Sequence, residues 1–138
     1  MCGIIGIVSS SPINYALVNS LKSLQHRGQQ AAGVATMDGN LMHLKKDLGL
    51  VKEVITEQDM SYLKGNAGIG HVRYPTAGAA NNPDEAHPFY VNSPFGIMLA
   101  HNGNLVNANK LRDDVHRHEL DLPANAYTRP LWYATPHR

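Results

Sequence analysis

The chain's only cysteine stands at position 2, behind the initiator methionine and at the head of an apolar run, Met1-Cys2-Gly3-Ile4-Ile5-Gly6-Ile7-Val8. Cysteine is small enough for Met1 to be trimmed in front of it. Trimming would leave a thiol and a free α-amino group on one residue, and thiols and α-amines both titrate near neutral pH. The amine can then act as base for the thiol, directly or through a water, as in N-terminal nucleophiles. The run behind it is rich in β-branched residues, which predicts a buried strand, central in its sheet, with the nucleophile held at its end. Gly3 and Gly6 would let substrate or neighbouring backbone approach closely. The same residues also suit a plainer structure. A lone cysteine near an N-terminus can be a small apolar side chain, and without an activating environment its thiol is unreactive.

One cysteine excludes an internal disulfide, which suits a reducing, cytoplasmic compartment. The 138 residues suit one domain with a real core, and 43% apolar against 17% charged residues is a globular balance. A net charge of +1 with no basic cluster gives no electrostatic case for nucleic acid or an anionic membrane. The apolar start lacks a charged leading region and stops before Ser9-Ser10-Ser11, so it is not a signal peptide. No stretch approaches the ~20 apolar residues of a bilayer span.

Ser11-Pro12 predicts the start of a helix, serine as its cap and proline at its first position. Ile13, Leu17, Leu21 and Leu24 then repeat at helical spacing, and Gly28 marks the stop. Ala31 to Met37 reads as a strand, Asp38-Gly39-Asn40 as a hairpin turn, and Leu41 to Lys46 as the returning strand. Residues 49–64 favour short helices, and Ala67 to Arg73 another buried strand. The irregular stretch Tyr74 to Pro88 has the length and composition of a functional loop. A second hairpin is expected from Phe89 to Asn92 and Phe95 to His101, turning at Ser93-Pro94. Its run Ile97-Met98-Leu99-Ala100 suggests burial on both faces. Asn107 would cap a helix carrying Ala108, Leu111 and Val115 inward. Hairpins imply antiparallel pairing, so a layered α+β fold is indicated.

Three segments carry chemistry. In Gly70-His71-Val72-Arg73-Tyr74-Pro75-Thr76, Arg73 leaves a strand into a loop, placed either to grip a carboxylate bidentately or to form an ordinary ion pair. In His101-Asn102-Gly103-Asn104, an amide and a glycine N–H side by side suit an oxyanion hole, or a plain Asn-Gly turn. Gln25-His26-Arg27-Gly28-Gln29-Gln30 could wall a site but does not define one alone. The eight histidines do not suggest a metal centre: His116 and His118, two apart on a predicted helix, point apart, and one cysteine removes the common zinc patterns. Gly68-x-Gly70 lacks the third glycine of a dinucleotide loop.

Together, Met1-Cys2-Gly3-Ile4, Leu24 to Gln29, Gly68 to Gly78, Pro88 to Pro94 and Leu99 to Leu105 resemble the glutaminase domain of the amidophosphoribosyltransferase family, over residues 1–118. The cysteine start and the Asn-Gly pair resemble class II glutamine amidotransferases at large. Arg73-Tyr74-Pro75-Thr76-Ala77-Gly78 and the stretch from Pro88 to Pro94 resemble the purine-synthesis members. The resemblance implies an N-terminal-nucleophile hydrolase fold, a four-layer αββα sandwich. It implies that Cys2 attacks the side-chain amide of glutamine to form a thioester and that Asn102 and Gly103 hold the oxyanion. Arg73 would bind the α-carboxylate of glutamine, with Thr76 lining that pocket. The ammonia released would serve phosphoribosylamine formation in purine synthesis.

The departures shape the expectation. The family continues with a Ser-Asp-Ser-Glu segment whose aspartate takes the α-amino group, and no such segment follows here. Gln30 stands where an acidic residue is common, and His87 where glutamine is common. Residues 119–138 form a tail without the resemblance, so the sandwich is expected to be incomplete and the phosphoribosyltransferase domain absent. On this reading the chain holds no cofactor or metal, magnesium entering only with the transferase domain. Its ligand is glutamine, with 5-phosphoribosyl diphosphate only if that domain is supplied. Neither nucleic acid nor membrane is a partner, and the family allows a homo-oligomer. A catalytically incompetent fragment and a non-enzymatic partner-binding module stand as the alternatives.

Overall fold

The β-branched N-terminal run forms β1 (Gly3–Val8), and the helical repeat after it forms α1 (Asn14–Ser23), followed by a 3-10 turn at Gln25–Arg27. The hairpin arms are β2 (Ala31–Asp38) and β3 (Leu41–Leu48), with Gly39 at φ +58° in the turn. Two short helices, α2 (Val51–Val54) and α3 (Glu57–Tyr62), precede β4 (Ala67–Arg73). A second 3-10 turn, Pro83–Glu85, leads to β5 (Phe89–Val91) and β6 (Ile97–Leu99), which pair as a two-stranded sheet. This computed structural model describes residues 1–75, 82–91, 96–103, 106–107, 110–111 and 113–114. The chain divides into two compact units, Met1–Phe89 with Met98–Asn102, and Tyr90–Ile97 with Gly103–Arg138.

The first unit is built on a four-stranded sheet of order β1-β4-β2-β3, antiparallel throughout. Its class, α+β with antiparallel sheets, is the one expected. Ile13, just before α1, and Leu17, Val18 and Leu21 of α1 share one core with Val34 and Val72 of the sheet. Val51, Val54, Met60 and Leu63 complete that core from the two short helices. Burying each such side chain contributes about 1.5–3 kcal/mol. Capping holds helices too short to persist alone: Glu53 reaches back to the Leu50 N–H at 2.8 Å, and Asp59 to the Thr56 N–H at 2.8 Å. Among the described residues, no helix is long and apolar enough to cross a membrane.

The structure corrects several expectations. α1 starts at Asn14, not after Ser11. The Ser11 N–H is taken by the Ser9 hydroxyl, while Ile13, 1% exposed, gives its N–H to Gly65 O and its carbonyl to Leu17. Among the described residues, β1 is an edge strand rather than a central one. Ile5 and Ile7 pack on the core, but Ile4 is 43% and Val8 85% exposed. An apolar run rich in β-branched residues does not say how many of its faces are covered. β6 is likewise not buried on both faces, with Ile97 and Leu99 more than half exposed. Among the described residues their sheet has only two strands, too few neighbours to cover them. In the second unit, Leu111 N–H bonds to Asn107 O at 3.0 Å, one helical turn. Ala108, Val115, His116, His118, the Ser93-Pro94 turn and residues 119–138 lie outside the described residues.

Candidate active site

Pairing register brings the N-terminus to the end of β4. Gly3 lies opposite Val72, so Cys2 comes beside Arg73 and Tyr74. The Tyr74 N–H donates to Cys2 Sγ at 3.4 Å, and Sγ lies 3.7 Å from the Tyr74 carbonyl. One backbone residue thus offers an acceptor to the thiol and a donor to the thiolate. Met1 is 76% exposed, which leaves it open to removal.

The Cys2 carbonyl is fixed from two sides. Arg27 Nε donates to it at 3.0 Å and Asn102 Nδ2 at 3.3 Å. Arg27 reaches it because the loop after α1 lies on the β4 backbone at Gly28. A Cβ there would stand 2.6 Å from Val72 O and from the Arg73 carbonyl carbon. Of that polar loop, Arg27 reaches Cys2 and Gln30 reaches Arg73. Asn102 is brought to Cys2, whereas Gly103 falls in the second unit. Thr76 lies outside the described residues.

Strand alternation puts His71 and Arg73 on one face of β4, and both are buried. Arg73 already meets a carboxylate, forming an ion pair with Glu85, and its Nη1 donates to Gln30 Oε1 at 2.9 Å. The segment that carries Glu85 is tied down by Lys46, whose Nζ donates to Ala86 O at 2.6 Å and sits 5.0 Å from the Phe89 ring centre. Burial lowers the Lys46 pKa, Asp84 opposing. The same segment crosses β2 at Gly33, where a Cβ would collide with His87 O at 2.1 Å.

Three imidazoles gather beside Asn102. His87 stacks 4.4 Å from His71 and 4.8 Å from His101 between ring centres, with Phe89 at 4.3 Å. The His101 N–H donates to His87 Nδ1 at 3.2 Å, and His71 Nε2 lies 3.1 Å from Asn102 Oδ1. Burial is the main cause that lowers His71 to about 4 and His87 to about 3; hydrogen bonding to the His101 backbone and the Asn102 side chain opposes it at His71, and neighbouring charges add to it at His87. Both rings are therefore neutral near pH 7. Among the described residues, no three His, Cys, Asp or Glu side chains are arranged to hold a metal ion.

Sequence reasoning singled out Cys2, Arg73 and Asn102, and offered the loop of Arg27 and Gln30 as a wall without fixing its place, but did not give His71, Glu85 or His87 as their neighbours. His71 was within reach, because it is two residues before Arg73 on a strand. Glu85 and His87 come from an irregular segment whose path no periodicity encodes.

The chain matches no protein-family profile. It is 53% identical over 120 residues to an amidophosphoribosyltransferase of Pseudomonas aeruginosa, covering 87% of this chain and 24% of that protein. The Escherichia coli amidophosphoribosyltransferase is 57% identical over 113 residues, covering 81% of this chain and 22% of that protein. A solved structure described as the allosteric regulatory enzyme of purine biosynthesis superposes with a TM-score of 0.75 at 36% identity, covering 86% of this chain and 25% of that one. The chain thus spans about a quarter of the length of the curated relatives it matches.

Proposed function

The chain is a relative of the amidophosphoribosyltransferases, matching their N-terminal part, and on that premise we propose that it carries the glutamine-hydrolysing half of such an enzyme. Removal of Met1 frees the Cys2 α-amino group. That amine takes the thiol proton, and Sγ attacks the side-chain carboxamide carbon of glutamine. The Asn102 amide, with Gly103 after it, stabilises the oxyanion. The carbon–nitrogen bond then breaks, ammonia leaves with the proton from the amine, and water hydrolyses the thioester to glutamate.

The observation that carries this reading is the contact set at Cys2: Tyr74 N–H on the thiol, and Asn102 and Arg27 on the carbonyl of the same residue. Arg73 is the cation for the α-carboxylate, which must share or displace Glu85 to reach it. Thr76 follows it by the resemblance. No cofactor enters this half-reaction. The ammonia is passed on for phosphoribosylamine formation, which needs 5-phosphoribosyl diphosphate and a transferase domain, and with it magnesium. A cytoplasmic location and a homo-oligomer belong to the same reading.

The test is glutamate release by purified protein whose Met1 removal is verified by mass spectrometry, beside Cys2→Ser. Release by the parent chain, lowered by at least about 10³-fold in Cys2→Ser, is the expected result. No release from correctly trimmed protein would favour a non-enzymatic, partner-binding role.

A further inference from the structure

We propose that His71 is a positioning residue for the oxyanion donor, its Nε2–H holding the Asn102 side-chain amide in the one orientation that turns NH2 toward Cys2. This deepens the glutaminase reading and rests on it.

The argument runs through what each group can give. A backbone carbonyl only accepts, so the Asn102 atom 3.3 Å from Cys2 O must be the amide nitrogen. The amide oxygen then faces His71 Nε2 at 3.1 Å, and an oxygen there needs a donor. Nε2 must therefore carry the ring proton. Because His71 is neutral near pH 7, it has only one, and Nδ1 is left as a lone pair. Nδ1 is indeed the ring atom that is buried without a hydrogen-bond partner. One amide hydrogen of Asn102 goes to Cys2 O, and the other stays free for charge developing on a bound carbonyl.

The rest of the imidazole group serves the same end. His87 accepts the His101 N–H at 3.2 Å and stacks on His71, so it holds the backbone just before Asn102. His71 is 1% and His87 7% exposed, so the ring side of each bond is shut off from water, while His101 and Asn102 themselves are exposed. Without His71, the Asn102 amide could rotate by half a turn and present its oxygen to the reacting carbonyl.

Two substitutions and a spectroscopic measurement on the whole chain test this. Long-range proton–nitrogen NMR of histidine-labelled protein near neutral pH should show His71 as the Nε2–H tautomer; an Nδ1–H tautomer or an imidazolium would overturn the proposal. His71→Leu should lower kcat for glutamine hydrolysis by about tenfold or more with KM within about twofold, as losing an oxyanion donor does. His71→Gln, whose amide nitrogen reaches the Nε2 position, should recover most of the rate. Alkylation of Cys2 by iodoacetamide needs no oxyanion donor and should match the parent in both variants. A parental kcat in His71→Leu would refute the role, as would equal losses in both variants with alkylation intact. If the parent chain releases no glutamate, the glutaminase reading fails separately. The Asn102 side-chain amide resonances, shifted in His71→Leu and restored in His71→Gln, then decide the positioning role alone, and unshifted resonances refute it.

Discussion

β1 and β4 are hydrogen-bonded neighbours, yet they end in opposite conditions. At the end of β4, His71, Val72 and Arg73 are all buried, each polar head meeting a named partner. On β1, one pairing away, Ile4 and Val8 face outward. The difference lies in what covers each face. The helix side of the sheet is closed by α1, α2 and α3, and the end of β4 is closed by the segment that Lys46 and Gly33 hold in place. Among the described residues, no such cover lies on the outward residues of β1. β1 is the more apolar of the two strands and β4 carries His71 and Arg73, yet the end of β4 is the more buried, so burial here reports neighbours rather than sequence.

The largest test of this contrast is in the core. Leu21→Ala should cost about 2–5 kcal/mol in denaturant unfolding, because a fully buried leucine leaves a cavity. Val8→Lys should change stability by no more than about 0.5 kcal/mol. Equal costs would mean that the outward face of β1 is covered in solution.

Acid should strike the closed region next. Unfolded, both imidazoles take a proton as pH falls through about 6.5, whereas folded His71 waits until about 4 and His87 until about 3. Between those values the unfolded chain binds more protons. Stability is therefore full above about pH 6.5 and declines as pH falls, by on the order of 3 kcal/mol for His71. Urea midpoints across that range would show it, and His87→Gln should flatten the curve. A slope unchanged by that substitution would place the titrating groups elsewhere.

The smaller effect concerns Arg73. Glu85→Gln weakens a pair whose carboxylate side chain is 32% exposed, so the loss of stability should be about 1–2 kcal/mol. On the proposed glutaminase reading, the same change should lower KM for glutamine, since the substrate carboxylate would no longer compete with Glu85. A raised KM would make Glu85 part of the binding site instead of its rival.

How much of this was legible beforehand differs by element. The hairpin at Gly39, the short helices and the extent of β4 followed from turn chemistry and periodicity, which act over a few residues. Cys2, Arg73 and Asn102 drew notice because each pairs a reactive side chain with a strand end. The start of α1 was misplaced because the long-range bond from Ile13 to Gly65 overrode the Ser11-Pro12 signal.

What the sequence alone determined, then, is the set of strands and helices and the chemical types available at their ends. Only the tertiary structure decided that β1 lies at an edge, that Glu85 answers Arg73 and that His71 reaches Asn102 across 31 positions. Local signals act through neighbouring backbone angles. Register, burial and hydrogen-bond partnership depend on which distant segments exclude water from one another, and no single stretch of chain encodes that.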